Sequence, residues 1–437
     1  MNNLRLLTGV LAVLLSGGGV CAYGQSVYTL EEIFEAAEAN SAQLRPAITA
    51  SAEARAAVSE ARTRRLPDID ASLNLSYIGD GFITARDLSG YQRAPIPHFG
   101  SGLGVEVTQP VYTGGAISNS ITLAKQKSTA ARLAEELNRD NIRLRLTGFY
   151  LDLYKYSNLR SIVDANISAA QKVLADMRLR YEQGTALRND ITRYELLVSN
   201  LELELIRIDN TIRILNDNLV TVAGLPSETI VVPDTTILDR SLPGRSEEWW
   251  QQTATEHSPS LSLARTGVDI SRTAEALVRS ERLPNIGLKS AWTIDGPILV
   301  EIPPINRNLS YWYVGVGVSY NLASLYKNGK SLAKSRLATR KSVEELDAAR
   351  DNLSLSVRAD HIRYLEAHEE LKTRTKSVEL ADRNYTTTST RYMEGMALIT
   401  DMLDAANSKL DAEQQLVNAR INLVYTYYKL LFTTGTI

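Results

Sequence analysis

Apolar residues recur at helical spacing over two long tracts of this chain. In the first tract they alternate four and three residues apart: Ile142, Leu146, Phe149, Leu153 and Tyr156. The stretch that follows keeps similar steps: Leu197, Leu201, Leu205, Ile208, Ile212, Leu215 and Leu219. Polar side chains fill much of the remaining faces, so the pattern predicts amphipathic helices in coiled-coil packing. A soluble helical bundle fits the same periodicity.

All thirteen prolines lie outside these tracts. The tracts are expected to open at Gly114-Gly115 and at Gly329, and to run to single glycine turns at Gly184 and Gly395. Each rising helix then has roughly 63 residues, or roughly 95 Å at about 1.5 Å per residue. Helices of that length exceed an ordinary globular domain and indicate long coiled-coil hairpins.

Four other segments alternate apolar and polar residues, which predicts strands at about 68–78, 102–112, 285–295 and 311–321. Each has about ten residues, the length of a strand that crosses a membrane. Longer loops join each pair, at 79–100 and 296–309. Aromatic residues near the strand ends suit an interfacial girdle: Tyr77, Tyr112, Trp292, Tyr311, Trp312, Tyr313 and Tyr320. Two soluble hairpins are the alternative.

The chain is duplicated. Its first half has close counterparts in the second: 65–69 in 282–286, 112–115 in 326–329, and 181–187 in 392–398. The order is kept and the offsets are 217, 214 and 211 residues. Such a period is too long for a solenoid. The sequence therefore predicts a first structural repeat over 25–228, an equatorial linker over 229–246 and a second repeat over 247–437.

The N-terminus, residues 1–24, reads as an export signal with Arg5 before a short apolar core. A membrane anchor and lipidation of Cys21, the single cysteine, are the alternatives. The formal net charge of −2 gives no reason to expect nucleic acid as a partner. No catalytic or phosphate-binding motif is present, so an enzyme is not expected, and no cofactor is predicted.

Four strands cannot close a barrel, because two strand edges would be left in lipid. If the strands cross a membrane, the chain must therefore form oligomers. Three copies would supply twelve strands, an even number within the known range of barrels.

The combined pattern resembles the TolC-type outer-membrane efflux family over about residues 28–432. Three elements carry the resemblance: Leu-Pro before a strand at 66–67 and 283–284, Tyr112-Thr113-Gly114-Gly115 before a long helix, and Arg-Tyr-x-x-Gly at 180–184 and 391–395. The resemblance implies a mainly α-helical fold with a β-barrel part. Three chains form an α-barrel tunnel, and four strands from each join a 12-stranded transmembrane barrel.

The same resemblance implies a homotrimer in the outer membrane of a Gram-negative bacterium, in contact with membrane lipid and extending into the periplasm. It would act as the passive exit duct of a tripartite efflux or type I secretion system. A periplasmic adaptor (a membrane fusion protein) and an inner-membrane pump are the implied partners. A pore-free periplasmic adaptor or structural coiled coil is the alternative from a different class.

The family's adaptor docks at the turns of the helical hairpins, which implies a site at two tips. The first tip contributes Arg180, Tyr181, Gly184, Thr185, Ala186 and Leu187. The second contributes Arg391, Tyr392, Gly395, Met396, Ala397 and Leu398. Glycine suits both turns because it accepts a positive φ. A simple turn without a docking role is the plainer interpretation.

Asp401 and Asp404 are three residues apart just beyond Gly395, so both can face one side of a helix. Three protomers would bring six carboxylates together, and acidic rings favour cations. These residues match the family's constriction aspartates, which implies a periplasmic gate. The alternative is two solvated carboxylates that pair with neighbours such as Lys409.

The first repeat matches this gate only in part. Asp190 corresponds to Asp401, but Arg193 stands at the position of Asp404. Where family members often carry a basic latch residue, this chain has Ala397, so any latch must differ.

Two pairs of residues are expected to have structural roles. Trp249 and Trp250 fit burial against the bundle better than a contact of an equatorial collar. His361 and His368 lack a third ligand at metal spacing and are expected at the surface or facing the tunnel, so no metal site is predicted.

Overall fold

The computed structural model describes residues 26–238, 242–301 and 304–437. The first half contains β1 (Ser26–Tyr28), α1 (Leu30–Asn40), α2 (Arg45–Thr63), β2 (Asp68–Tyr77), β3 (Gly81–Ile83), β4 (Gln92–Ala94), β5 (Phe99–Tyr112), α3 (Ala116–Glu182) and α4 (Arg188–Ala223). The second contains β6 (Val231–Pro233), a 3-10 helix (Thr235–Leu238), α5 (Glu247–His257), α6 (Pro259–Ser280), β7 (Asn285–Gly296), β8 (Leu309–Ser319), α7 (Ser324–Met393) and α8 (Ile399–Thr434). The predicted export signal and Cys21 lie outside the described residues.

The rising helices α3 and α7 have 67 and 70 residues. Gly114 and Gly115 open α3 with positive φ angles of 61° and 88°, as expected for glycines before a long helix. The predicted opening of the second tract at Gly329 is wrong, because α7 already begins at Ser324. The Asn321 side chain accepts the Ala323 N–H just before Ser324, and this bond favours a helix that begins earlier than Gly329.

The duplication is visible in the structure at an offset of 211 residues. Gly224 and Gly435 each end a descending helix in the left-handed conformation. Leu146 of α3 and Val357 of α7 occupy matching buried positions. The two hairpins, α3–α4 and α7–α8, are joined by packing of α3 on α8, so α4 and α7 lie at the two ends of the row.

The four long strands form one antiparallel sheet in the order β2-β5-β7-β8. Its register aligns Ile69, Val107, Ser290 and Val314 in one row, and Ala71, Val105, Trp292 and Trp312 in the next. This face is largely apolar. The opposite face carries polar and charged residues on its first three strands: Asp68, Asp70, Ser72, Asn74, Glu106, Thr108, Lys289 and Asp295.

The expected aromatic girdle is divided by this register. Trp312 lies on the apolar face, whereas Tyr311 and Tyr313 alternate to the polar face. Neither tyrosine can therefore join Trp312 in a belt on one surface of the sheet.

The sheet has two open edges in the described part of the chain, because the outer sides of β2 and β8 pair with no strand. Large apolar side chains on these strands are exposed: Ile69, Leu73, Leu75, Tyr77, Trp312, Val314, Val316 and Val318. The end helices α4 and α7 show the same feature, with exposed Leu196, Leu203, Ile206, Ile214, Leu337, Leu355, Ile362, Leu365 and Leu380.

An outer layer, formed by α1, α5 and the parallel pair β1–β6, packs on one side of the long helices. Trp250 of α5 is buried there as expected, but Trp249 is 43% exposed under the Arg245 guanidinium. His361 is also buried, so the expected surface or tunnel position is wrong for it.

Tyr150 fastens this layer to α3. Its side chain is fully buried, and its hydroxyl donates to the Tyr28 carbonyl and accepts the Asp234 N–H, both at 2.7 Å. Burial raises the pKa of the Tyr150 phenol to about 12.

Tyr150→Phe is expected to destabilise the protein by about 1–2 kcal/mol, because two buried hydrogen bonds are lost while the ring remains. Thermal unfolding followed by circular dichroism measures the effect. Tyr181→Phe, at an exposed tyrosine, is the matched control and should leave the midpoint unchanged. Equal midpoints for both variants would contradict the anchoring role.

Candidate functional site at the helical tips

Both tips have the same backbone turn. Gly184 and Gly395 have φ angles of 74° and 75°, with no atom within 4 Å of an added Cβ. In the first tip, the Gly184 N–H donates to Tyr181 and the Thr185 N–H to the Arg180 carbonyl. The second tip repeats this with Gly395 and Met396 as donors. Paired bonds of this kind close a helix end on a left-handed glycine.

The tips are polar loops with exposed apolar side chains. Leu187 and Leu398 are each 69% exposed, and Met396 is 58% exposed. Tyr181, Thr185 and Arg391 are also exposed, whereas Ala186 and Ala397 are half-buried. Each tip therefore presents a leucine to solvent at the position before its descending helix.

Arg180 joins the two hairpins. Its Nη1 donates to the Met393 carbonyl at the end of α7 (2.7 Å), and its Nε donates to Asp176 (2.9 Å). A guanidinium at a helix C-terminus donates to a carbonyl that has no partner within the helix, and its positive charge interacts favourably with the negative end of the helix dipole. This contact carried no sequence signal, because its acceptor is a backbone atom.

Tyr392 and Asp190 lie close to the same contact. Burial raises the pKa of the Tyr392 phenol, and the negative charges of Asp190 and Asp176 add to this while Arg180 opposes it. The structure thus brings Tyr392 of the second hairpin close to Arg180 and Asp190 of the first, from which it is distant in sequence.

Asp401 and Asp404 are both exposed on the first two turns of α8. Asp401 accepts the Leu398 N–H at 3.2 Å, so it also caps its helix. The expected alternative pairing with Lys409 is wrong, because the Lys409 ammonium lies 2.6 Å from Asp382. Among the described residues, neither carboxylate has an ion-pair partner within 4.0 Å.

The described residues contain no group of three or more His, Cys, Asp or Glu side chains that could hold a metal ion. His368 packs edge-on against Tyr364, and His98 bonds the Ile78 carbonyl. Within the described ranges, the helices also include no segment long and apolar enough to cross a bilayer.

The chain belongs to the family of outer membrane efflux proteins, which it matches over residues 33–225 and 250–436. It is 22% identical over 411 residues to outer membrane protein TolC of Vibrio cholerae serotype O1, covering 93% of this chain and 91% of TolC. It is 23% identical to the proteases secretion protein PrtF of Dickeya chrysanthemi, covering 99% of this chain and 92% of PrtF.

The fold agrees with this assignment. The crystal structure of the outer membrane protein VceC from Vibrio cholerae superposes with a TM-score of 0.78 at 16% identity, covering 93% of this chain and 96% of VceC. The chain is therefore an outer-membrane efflux channel of the TolC type. Its family membership rejects the alternative of a pore-free adaptor or structural coiled coil.

Proposed function

We propose that three copies of this chain form an exit duct through the outer membrane. The observation that carries the proposal is the pair of open sheet edges on β2 and β8, which share one apolar face. Pairing β2 of one copy with β8 of the next continues the sheet and removes both edges. The apolar face then turns to lipid and the polar face to the lumen.

The helices support the same arrangement. Exposed leucines and isoleucines on α4 and α7 occupy the two ends of each helical row, where neighbouring copies meet. The outer layer surrounds the resulting tunnel, since α1 and α5 on the inside would fill the passage. The predicted division into two repeats and an equatorial linker fits this design.

The tips form the periplasmic end of the proposed duct. The exposed Leu187, Met396 and Leu398 offer apolar contacts to a periplasmic adaptor, with Arg391 as a charged neighbour. Adaptor and inner-membrane pump supply energy and select cargo, and the chain itself catalyses no reaction. Docking opens the passage by separating the hairpins at the contact of Arg180 with the Met393 carbonyl.

Asp401 and Asp404 form the acidic gate of the duct in this proposal. They lie on the helix that starts at the tip, and the absence of ion-pair partners among the described residues leaves their charge available to the passage. Three copies contribute six carboxylates, which attract cations into a narrow opening.

Asp401→Asn combined with Asp404→Asn is expected to lower the cation-to-anion permeability ratio at least about threefold. Planar-bilayer recordings of purified trimers provide the measurement. Asparagine can still accept the Leu398 N–H, so the fold should survive. Glu394→Gln removes an exposed tip carboxylate outside α8 and should leave selectivity unchanged.

The possible outcomes separate the duct from the gate. Conducting pores with unaltered selectivity in the double variant would retain the duct and reject these aspartates as its gate. Trimers in lipid that never conduct, with or without an adaptor, would overturn the duct itself.

Protein secretion is a second candidate for the duct's task. One relative is named for the secretion of proteases, whereas the family is named for efflux. Co-purification with a transporter that carries a peptidase domain would favour secretion.

A further inference from the structure

A recess of about 820 Å³ lies where the end of α8 meets the beginning of α6. Its walls come from α7, α8, the start of α6 and Leu137 of α3. The volume is that of a small-molecule site, which commonly ranges over about 300–1,000 Å³. No role in the tip or the gate accounts for it.

On α7 and α8 the recess lies beside the face that packs against the outer layer, and Leu353 belongs to both. Val357, Tyr364 and Leu430 pack against Trp250 of α5. The recess residues Ser356, Arg363 and Lys429 each precede one of these by one position, about 100° round the helix.

The helix α3 places the recess on the side away from α1. Leu146 packs in one cluster with Leu30 and Ile33 of α1, whereas Leu137 lines the recess. Nine residues separate Leu137 from Leu146, so the two lie about half a turn apart. The recess therefore faces the lumen if the outer layer surrounds the tunnel, and this part of the inference rests on the proposed function.

The recess carries a net positive charge. Asp360 is buried and accepts hydrogen bonds from Arg363 (3.2 Å) and the Thr433 hydroxyl (2.6 Å), so its charge is balanced. The Lys429 ammonium lies 4.7 Å from the centre of the Phe432 ring. No carboxylate of the described residues lies within 4.0 Å of that ammonium.

The positive charge is specific to the second repeat. At the offset of 211 residues, the counterparts of Arg363 and Lys429 are Asp152 and Asn218. Asp152 pairs with Lys155 at 2.9 Å, so this position is negative and already satisfied. Duplication of the backbone alone does not explain the two cations.

We propose that this recess binds amphiphilic organic anions, with the anionic group at Lys429 and at the guanidinium N–H groups of Arg363 that do not bond Asp360. The apolar part of the ligand lies against Leu353, Phe432 and Pro259, which line the same recess. A carboxylate or sulfonate gains charge-assisted hydrogen bonds from ammonium and guanidinium groups. The lumen thus contains an anion-binding site between the membrane and the acidic tips.

Isothermal titration calorimetry on trimers in lipid nanodiscs tests the proposal, with naphthalene-2-sulfonate as the probe and empty nanodiscs as background. The sulfonate is expected to bind at least about tenfold more tightly than 2-naphthylmethylammonium, which has the same ring and the opposite charge. Lys429→Gln should weaken sulfonate binding about tenfold, the effect of losing one charged hydrogen bond.

Two further variants control for unfolding and for general charge effects. Lys372→Gln removes an exposed lysine of α7 that does not line the recess and should bind like the wild type. Ser356→Trp keeps every charge but fills the recess and should abolish binding.

Several results would overturn the proposal: no sulfonate binding at millimolar concentration, equal affinity for the two probes, or a Lys429→Gln variant that binds like the wild type. Planar-bilayer recordings of the same trimers keep the two hypotheses apart. Trimers that conduct without binding the sulfonate would reject only the recess, whereas binding without conduction would reject only the duct.

Discussion

Trimers carrying Arg180→Met are expected to occupy the conducting state about ten- to a hundredfold more often than wild-type trimers. In the wild type, the guanidinium links α3 to the Met393 carbonyl of the other hairpin. A hydrogen bond from a charged group contributes about 1.5–3 kcal/mol, and each 1.4 kcal/mol changes an equilibrium about tenfold. Methionine keeps much of the apolar stem but donates nothing. Open probability in planar-bilayer recordings measures the change.

Arg178→Met is the matched control. Arg178 is two residues away on α3 and pairs with Glu195 at 2.7 Å, but both residues belong to the same hairpin. An exposed pair of this kind is worth under about 1 kcal/mol. If Arg178→Met opens the pore as much as Arg180→Met, the effect is a general loss of tip charge and the cross-hairpin contact has no special role.

Gly224→Ala is expected to destabilise each protomer by at least about 3 kcal/mol. The left-handed backbone at φ 71° costs a non-glycine residue about 1–2 kcal/mol. The new Cβ would also lie 2.7 Å from the Asn40 carbonyl carbon and 2.8 Å from its oxygen, so α1 must shift. The midpoint of thermal dissociation of trimers should fall by several degrees.

Gly184→Ala separates the cost of the left-handed backbone from the cost of the steric contact with Asn40. Its φ of 74° is nearly the same, but no atom lies within 4 Å of an added Cβ. We expect only the conformational cost, about 1–2 kcal/mol, and a smaller shift of the midpoint. Equal shifts in the two variants would show that contact with Asn40 is unimportant.

The long helices and paired strands could be predicted because each has a period that many residues repeat. The three-residue strands β1 and β6 could not be predicted, since Ser26–Tyr28 and Val231–Pro233 are too short to show any alternation. The Tyr150 hydroxyl bonds the ends of both strands, but from the sequence Tyr150 looks like one more apolar position of α3. The hairpin β3–β4 inside the 79–100 loop is missed for the same reason.

The site shows a similar limit. Gly184 and Gly395 indicated both turns in the sequence, because the left-handed backbone conformation at a helix end favours glycine. The contact of Arg180 with the Met393 carbonyl could not be predicted from the sequence, because its acceptor is a backbone group that every residue carries. The spacing of Asp401 and Asp404 and their match to the family's constriction aspartates predict a gate, but the bond of Asp401 to the Leu398 N–H appears only in three dimensions.

In the proposed trimer, the open edges of β2 and β8 also determine how assembly proceeds. A single protomer has two unpaired edges, and two joined protomers still have two. Only the third protomer removes both edges at once, so ring closure gains two strand pairings in one step. Incomplete assemblies are correspondingly disfavoured, and insertion into the membrane becomes cooperative. Until the ring closes, the unpaired edges of the intermediates can pair with wrong strands.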